Sequence, residues 1–233
     1  WGQSIYDLSD SEVDVAMGVS VKYLHTDILE RASAYGGDFG VHSRFYGTSR
    51  TYDVALAVHA AHGAGIIHRD LKPANILIEE GRIFVSDFGL AKHGDVRSSL
   101  SQTGVMIGTP AYMPPEQAAG EIGRVDARSD VYALGATLYE LLTGRLPFEG
   151  AALDVAIAIL QDEPAAPRAI RPEIPVDLET IVLKAMRKEQ AARYGSAAAM
   201  AEDLRRWLDG ESIVARRPSL AERVLRKIKR RPA

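Results

Sequence analysis

Residues 68–75 read HRDLKPAN, so that Asp70, Lys72 and Asn75 follow one another at spacings of two and three, and Asp87 lies twelve positions beyond Asn75. Asp70, Asn75 and Asp87 are oxygen donors on loops beside short strands, a hard-ligand set that suits Mg2+ rather than zinc. Lys72 adds a cation among them. A carboxylate that can take a proton, a lysine and two oxygen ligands for magnesium describe phosphoryl transfer, where the protein contributes positioning and neutralises charge on the transferred group. Taken singly, each Asp or Asn could equally shape a turn.

The elements that must position these groups are legible from residue 51 onward. TYDVALAVHAAHGAG predicts a helix ended by Gly63 or Gly65, with Val54, Val58 and His62 stacked along it. NILI and RIFVSDFG, short β-branched runs about a turn at Glu79-Glu80-Gly81, predict a β-hairpin over residues 76–86. Residues 128–143 are apolar on most faces and predict a buried helix stopped by Gly144 and Pro147. DLETIVLKAMRK predicts an amphipathic helix capped by Asp177, and Ser196 opens a last helix through Trp207 and Leu208, closed at Gly210. GGDFGVHSRFYGTSR, residues 36–50, shows neither period and reads as loop.

Composition narrows the function classes. A chain of 233 residues, 46% apolar and 25% charged, is an ordinary globular protein with room for one domain or two lobes. The absence of cysteine excludes a disulfide framework, a thiolate nucleophile and a cysteine-built zinc site, and the six histidines form no His-x-x-x-His pair. With no apolar run of membrane-spanning length and no secretory segment at its start, the sequence reads as cytoplasmic. Charge is uneven: residues 216–233 carry eight basic side chains against Glu222 alone, a net +7, so the rest of this −3 chain sums to −10.

The order HRDLKPAN, DFG (Asp87 to Gly89), GTPAYMPPE (108–116) and SDVYALG (129–135) resembles the helical C-terminal lobe of the protein kinases, over about residues 51–210. The ending ARYGSAAAMAEDLRRWLDGE and the run YALGATLYELLTGRLPF are similar to bacterial Ser/Thr kinases of the eukaryotic-like (Hanks) type. The resemblance implies an α+β kinase-like fold, mainly a helical C-lobe with a small hairpin and an abbreviated N-lobe. It implies ATP and Mg2+ as cofactors and transfer of the γ-phosphoryl group to Ser/Thr hydroxyls of a protein substrate. Asp70 matches the base that accepts the substrate proton, Lys72 the lysine that contacts the γ-phosphate, and Asn75 and Asp87 the two magnesium ligands. Gly89 matches the glycine at which the activation segment turns, and His68 a packing residue of the catalytic loop. Asp130 matches an aspartate that binds the catalytic-loop backbone, and Glu116 with Arg193 an ion pair that clamps the activation segment. Lys72 together with Thr109, on the substrate side, follows the Ser/Thr pattern; Pro114-Pro115-Glu116 departs mildly from the usual Ala-Pro-Glu and keeps the acid. Arg69 is positioned to pair with a phosphate, for which Ser98, Ser99, Ser101 and Thr103 are acceptors, Ser101 and Thr103 lying where this group usually autophosphorylates.

The family pattern also places a glycine-rich loop, a strand lysine, a helix glutamate and an adenine hinge before the catalytic loop. Lys22, in VSVKYL, is the only lysine there and resembles the ATP-binding strand lysine; GVHSRFYGT offers it no acid partner. Residues 1–50 are therefore expected to be a degenerate or truncated N-lobe, and the start at Trp1 suggests that the natural beginning lies upstream. This leaves a second reading, a catalytically inactive kinase fragment or interaction module without the hinge. Residues 211–233 read as a basic juxtamembrane-like tail: Leu220, Val224 and Ile228 recur at four-residue intervals between arginines and lysines, as in a segment that associates with a membrane or precedes a span. Nucleic acid is not expected as a partner.

Overall fold

The computed structural model of the chain describes residues 4–7, 14–17, 39–79, 82–88 and 110–215. Its strands are β1 (Ser4–Asp7), β2 (Asp14–Met17), β3 (Ile76–Glu79) and β4 (Arg82–Val85). Helices are α1 (Phe39–Gly63), α2 (Pro115–Ala118), α3 (Ala127–Thr143), α4 (Ala152–Gln161), α5 (Pro167–Ile170), α6 (Val176–Ala185) and α7 (Ala197–Leu208). The strands form one sheet in the order β2-β1-β4-β3. The hairpin pairs Ile76 with Val85 and Leu77 with Phe84, and on its other edge β4 meets β1 through Tyr6 and Val85.

Helix α3 is the pillar of the helical layer. Asp126 caps its start, accepting the Arg128 N–H at 2.8 Å, while Ser129 Oγ accepts the Asp126 N–H at 3.2 Å, the reciprocal arrangement that satisfies two orphan donors. Gly144 ends it in the left-handed conformation, φ 71°. Between those caps residues 129–139 are all buried, since α3 is covered on one side by α1 and on another by α6. The crossing with α6 is close because residue 135 is glycine: a Cβ there would lie 2.7 Å from Ala185 Cβ. Val54, Ala55, Val58 and Ala61 of α1 complete the core against α3 and α7.

Two expectations are corrected. Residues 39–50 are not loop but the first half of α1, which runs through residue 50 without a break. Gly40 and Gly47 lower helix propensity there and hide the period, and the packed second half of the same helix carries the continuation. Asp177 is not a cap: α6 starts one residue earlier, with Pro175 at the cap position and Asp177 in the first turn, where its charge complements the helix dipole. The hairpin, expected by itself, is half of a four-stranded sheet.

Candidate active site

Helix α1 delivers the chain to the site. Its end is closed by Ile66 N–H to Ala61 O at 3.0 Å, with Gly65 left-handed at φ 76°. The loop that follows is held chiefly by one buried carboxylate on α3. Asp130 Oδ2 accepts the His68 N–H at 2.8 Å and lies 2.7 Å from His62 Nε2; Oδ1 accepts the Arg69 N–H at 2.9 Å. Since a carboxylate accepts, the nearby His62 Nε2 is a donor, and its Nδ1 is buried without a hydrogen-bond partner.

His68 is a buried strut. Its Nδ1 accepts the Asp70 N–H at 3.3 Å, so Nε2 carries the proton and donates to Ser86 O at 2.9 Å. The ring also packs on Phe88, 4.6 Å between centroids. Burial is the main reason its pKa is lowered, against the opposing pull of Asp130, the Ser86 carbonyl and Asp70. A neutral imidazole thus joins the loop of Asp70 to the strand end that carries Asp87.

Asp70 and Lys72 stand part-exposed on the outer side of the loop. Lys72 Nζ donates to Asp70 Oδ2 at 2.9 Å, with the two side chains 34% and 37% exposed, so the pair is fixed yet open to a ligand. Asn75 Nδ2 donates to Asp70 O at 2.8 Å, which orients the amide and leaves Oδ1 as its acceptor. The turn Pro73–Asn75 brings the chain into β3, and the Ser86 N–H returns to Asn75 O at 2.9 Å. Asp87 is exposed beside it and left-handed at φ 58°; Arg69 is left-handed too, at φ 68°. Non-glycine residues held there cost roughly 1–3 kcal/mol and persist where surroundings over-determine them.

Among the described residues no group of three His, Cys, Asp or Glu could hold a metal ion. An amide oxygen from Asn75 and a carboxylate from Asp87 do fit magnesium, a hard cation that binds one or two protein ligands and takes phosphate and water for the rest.

Away from that loop, Glu116 of α2 is locked by Arg193. Nη1 donates to Oε1 at 2.9 Å and Nη2 to Oε2 at 2.7 Å, with side-chain exposures of 0% for Arg193 and 3% for Glu116. Arg193 spends its other N–H groups on the carbonyls of Arg187, Arg128 and Lys188, leaving no buried donor unpaired. Ser129 Oγ and Gln190 Nε2 also donate to Glu116 Oε1. Burial alone would raise the Glu116 pKa; the hydrogen bonds from Arg193 and Ser129 and the guanidinium charge hold it below its ordinary value.

The structure thus brings Arg69, Asp70, Lys72 and Asn75 together on the loop, with Asp130 beneath and Asp87 joined through His68. Glu116 and Arg193 form a separate buried lock. Lys22, Gly89, Ser98, Ser99, Ser101, Thr103, Thr109 and residues 216–233 lie outside the described residues. Sequence reasoning missed His62, Gln117, Ser129 and Gln190. His62 had a signal, a histidine on an otherwise apolar helical stripe; the other three had none in local pattern.

A family model described as the protein kinase domain matches residues 17–204. The chain is 39% identical over 219 residues to the probable serine/threonine-protein kinase SCO3848 of Streptomyces coelicolor, covering 91% of this chain and 32% of that protein. It is 46% identical over 162 residues to the serine/threonine-protein kinase PknB of Mycobacterium tuberculosis, covering 68% of this chain and 26% of that one. The chain therefore spans about a third or less of the length of these curated relatives. Among solved structures, Rad53 1-466 in complex with AMP-PNP aligns with a TM-score of 0.54 and 24% identity, over 84% of this chain and 47% of that one, a likeness of fold alone.

Proposed function

Because this chain belongs to the protein kinase family, we propose that it carries the phosphoryl-transfer site of a bacterial Ser/Thr kinase, moving the γ-phosphoryl group of ATP to a Ser or Thr hydroxyl of a protein. The observation that carries the reading is the fixed, half-open pair Asp70–Lys72 at 2.9 Å on a loop gripped by buried Asp130. Asp70 Oδ accepts the proton of the attacking hydroxyl as the new O–P bond forms and the bond from the γ-phosphorus to the bridging oxygen breaks. Lys72 turns its ammonium from Asp70 to the transferred group. Asn75 Oδ1 and Asp87 would hold Mg2+, which when bound neutralises phosphate charge.

Around this centre, Thr109 faces the protein substrate, and phosphate on Ser101 or Thr103 orders the segment 87–116 against Arg69. Lys22 contacts the nucleotide phosphates. The divisions proposed are an N-lobe remnant at 1–50, joined to a C-lobe at 51–210 by the continuous helix α1, and a basic tail at 211–233 that meets an anionic membrane surface. Among the described residues no helix is long and apolar enough to cross a membrane.

Transfer of labelled phosphate from MgATP to a Ser/Thr-containing protein tests the reading. Asp70→Asn should lower the rate by about 10²–10⁴-fold, the worth of a general base. A variant that keeps the wild-type rate would remove Asp70 from its role.

A further inference from the structure

The peptide unit joining Arg69 to Asp70 is held at both ends. Its carbonyl oxygen accepts from Gln117 Nε2 at 2.9 Å, and its N–H donates to His68 Nδ1 at 3.3 Å. On the other side of Arg69, the backbone N–H is taken by Asp130 Oδ1 at 2.9 Å, and the residue between these grips is left-handed at φ 68°. A non-glycine residue stays in that region only where its neighbours leave no alternative. Here three side chains from separate segments supply the constraint: His68 from the loop, Asp130 from α3 and Gln117 from α2.

Of the three, Gln117 is the one carried by the segment that enters α2. Its neighbour Glu116 is the carboxylate locked by Arg193, Ser129 and Gln190. The Gln117 side chain is therefore delivered to Arg69 only while α2 is docked on that lock. Nothing in the sequence near residue 117 signals this, since the two partners are 48 positions apart.

We propose that Gln117 is a positioning residue for Asp70: its amide fixes the 69–70 peptide plane and so makes the aim of the Asp70 carboxylate depend on the docking of α2. The proposal rests on the reading of Asp70 as the base. When α2 leaves its lock, the Arg69 carbonyl loses its donor, the left-handed residue relaxes, and Asp70 turns with the peptide that carries it. Turnover then falls because the base no longer faces the attacking hydroxyl.

The test uses Gln117→Leu and Gln117→Glu in the full chain, neither of which can donate to the Arg69 carbonyl. Steady-state phosphate transfer is measured beside amide hydrogen exchange of the peptides covering residues 68–75 and α3. The expectation is a kcat lowered about tenfold, the order of one lost hydrogen bond, with KM for ATP unchanged. Exchange across residues 69–71 should quicken in both variants while α3 and the melting temperature stay as in the wild type. That exchange pattern supports the proposal even if the wild type transfers no phosphate, a result that would count against the activity reading alone. Unchanged exchange with wild-type kcat overturns the proposal and leaves the activity reading standing. A uniform rise in exchange that includes α3, with a lower melting temperature, also overturns it, because Gln117 would then be a brace for the whole lobe.

Discussion

Asp130 Oδ1 accepts the backbone N–H of Arg69 at 2.9 Å, and Arg69 is held left-handed at φ 68°. With Oδ2 engaged by the His68 N–H and His62 Nε2, one buried carboxylate satisfies three donors. The loop carrying Asp70 has its shape because α3 presents that acceptor pair from beneath.

Asp130→Asn should therefore be costly although it keeps the volume. An amide offers one oxygen where three donors converge, and its N–H2 faces another donor. Leaving a buried N–H without an acceptor costs about 1–3 kcal/mol. Urea denaturation should show the midpoint lowered by that free energy divided by an unchanged slope; an unshifted midpoint would mean that the loop does not depend on Asp130.

Arg193→Met leaves the Glu116 carboxylate buried beside only Ser129 and Gln190, and breaking a buried pair in this way costs roughly 3–5 kcal/mol. The pH dependence follows from the lowered Glu116 pKa. Its stabilisation is fully present above the ordinary carboxylate value, 4.5, and is lost as pH falls through the lower folded value, since the unfolded chain binds the proton first. Without Arg193, burial pushes that pKa up, so the folded variant takes the proton before the unfolded chain does, and melting temperatures recorded from pH 7 to pH 3 should lose the fall that Glu116 causes in the wild type.

His68 has the same sign for a different reason. Burial lowers its pKa, so the folded protein holds the neutral ring while the unfolded chain is protonated near 6.5. Stability from this group is present above pH 6.5 and declines as pH drops from there toward the folded value. His68→Gln should flatten that part of the profile, measured as unfolding free energy between pH 8 and pH 5. Equal slopes in variant and wild type would place the titrating group elsewhere.

Gly135→Ala sets two effects against each other. Alanine gains about 1 kcal/mol of helix propensity. Its Cβ, however, would sit 2.7 Å from Ala185 Cβ and 2.9 Å from Met186 Cγ, so α3 and α6 must separate. Overpacking of this kind costs about 1–3 kcal/mol, and the loss should win. A melting temperature lowered by several degrees is expected, with Gly123→Ala, where a Cβ meets nothing within 4 Å, as the control that does not fall.

The sequence by itself determined the elements whose signals are local. β-branched runs about a turn specify the hairpin β3–β4, Gly144 closes α3, and Ser196 opens α7 by accepting the Ala199 N–H. It also determined the family, because residues 68–75, 87–89, 108–116 and 129–135 keep their order and spacing, which the match over residues 17–204 shows independently. Only the tertiary structure decided that α1 begins at Phe39, since its glycine-containing first half has no apolar stripe, and that β1 extends the hairpin into a larger sheet. It alone decided that Arg69 and Asp87 are left-handed, a conformation uncommon for non-glycine residues and held by tertiary contacts. The contacts that aim Asp70 join residues far apart in the chain, His62 to Asp130 across 68 positions and Gln117 to Arg69 across 48. Propensity and periodicity act between neighbours in sequence, whereas a hydrogen bond depends on distance in space, which the chain path sets only once the helices have packed.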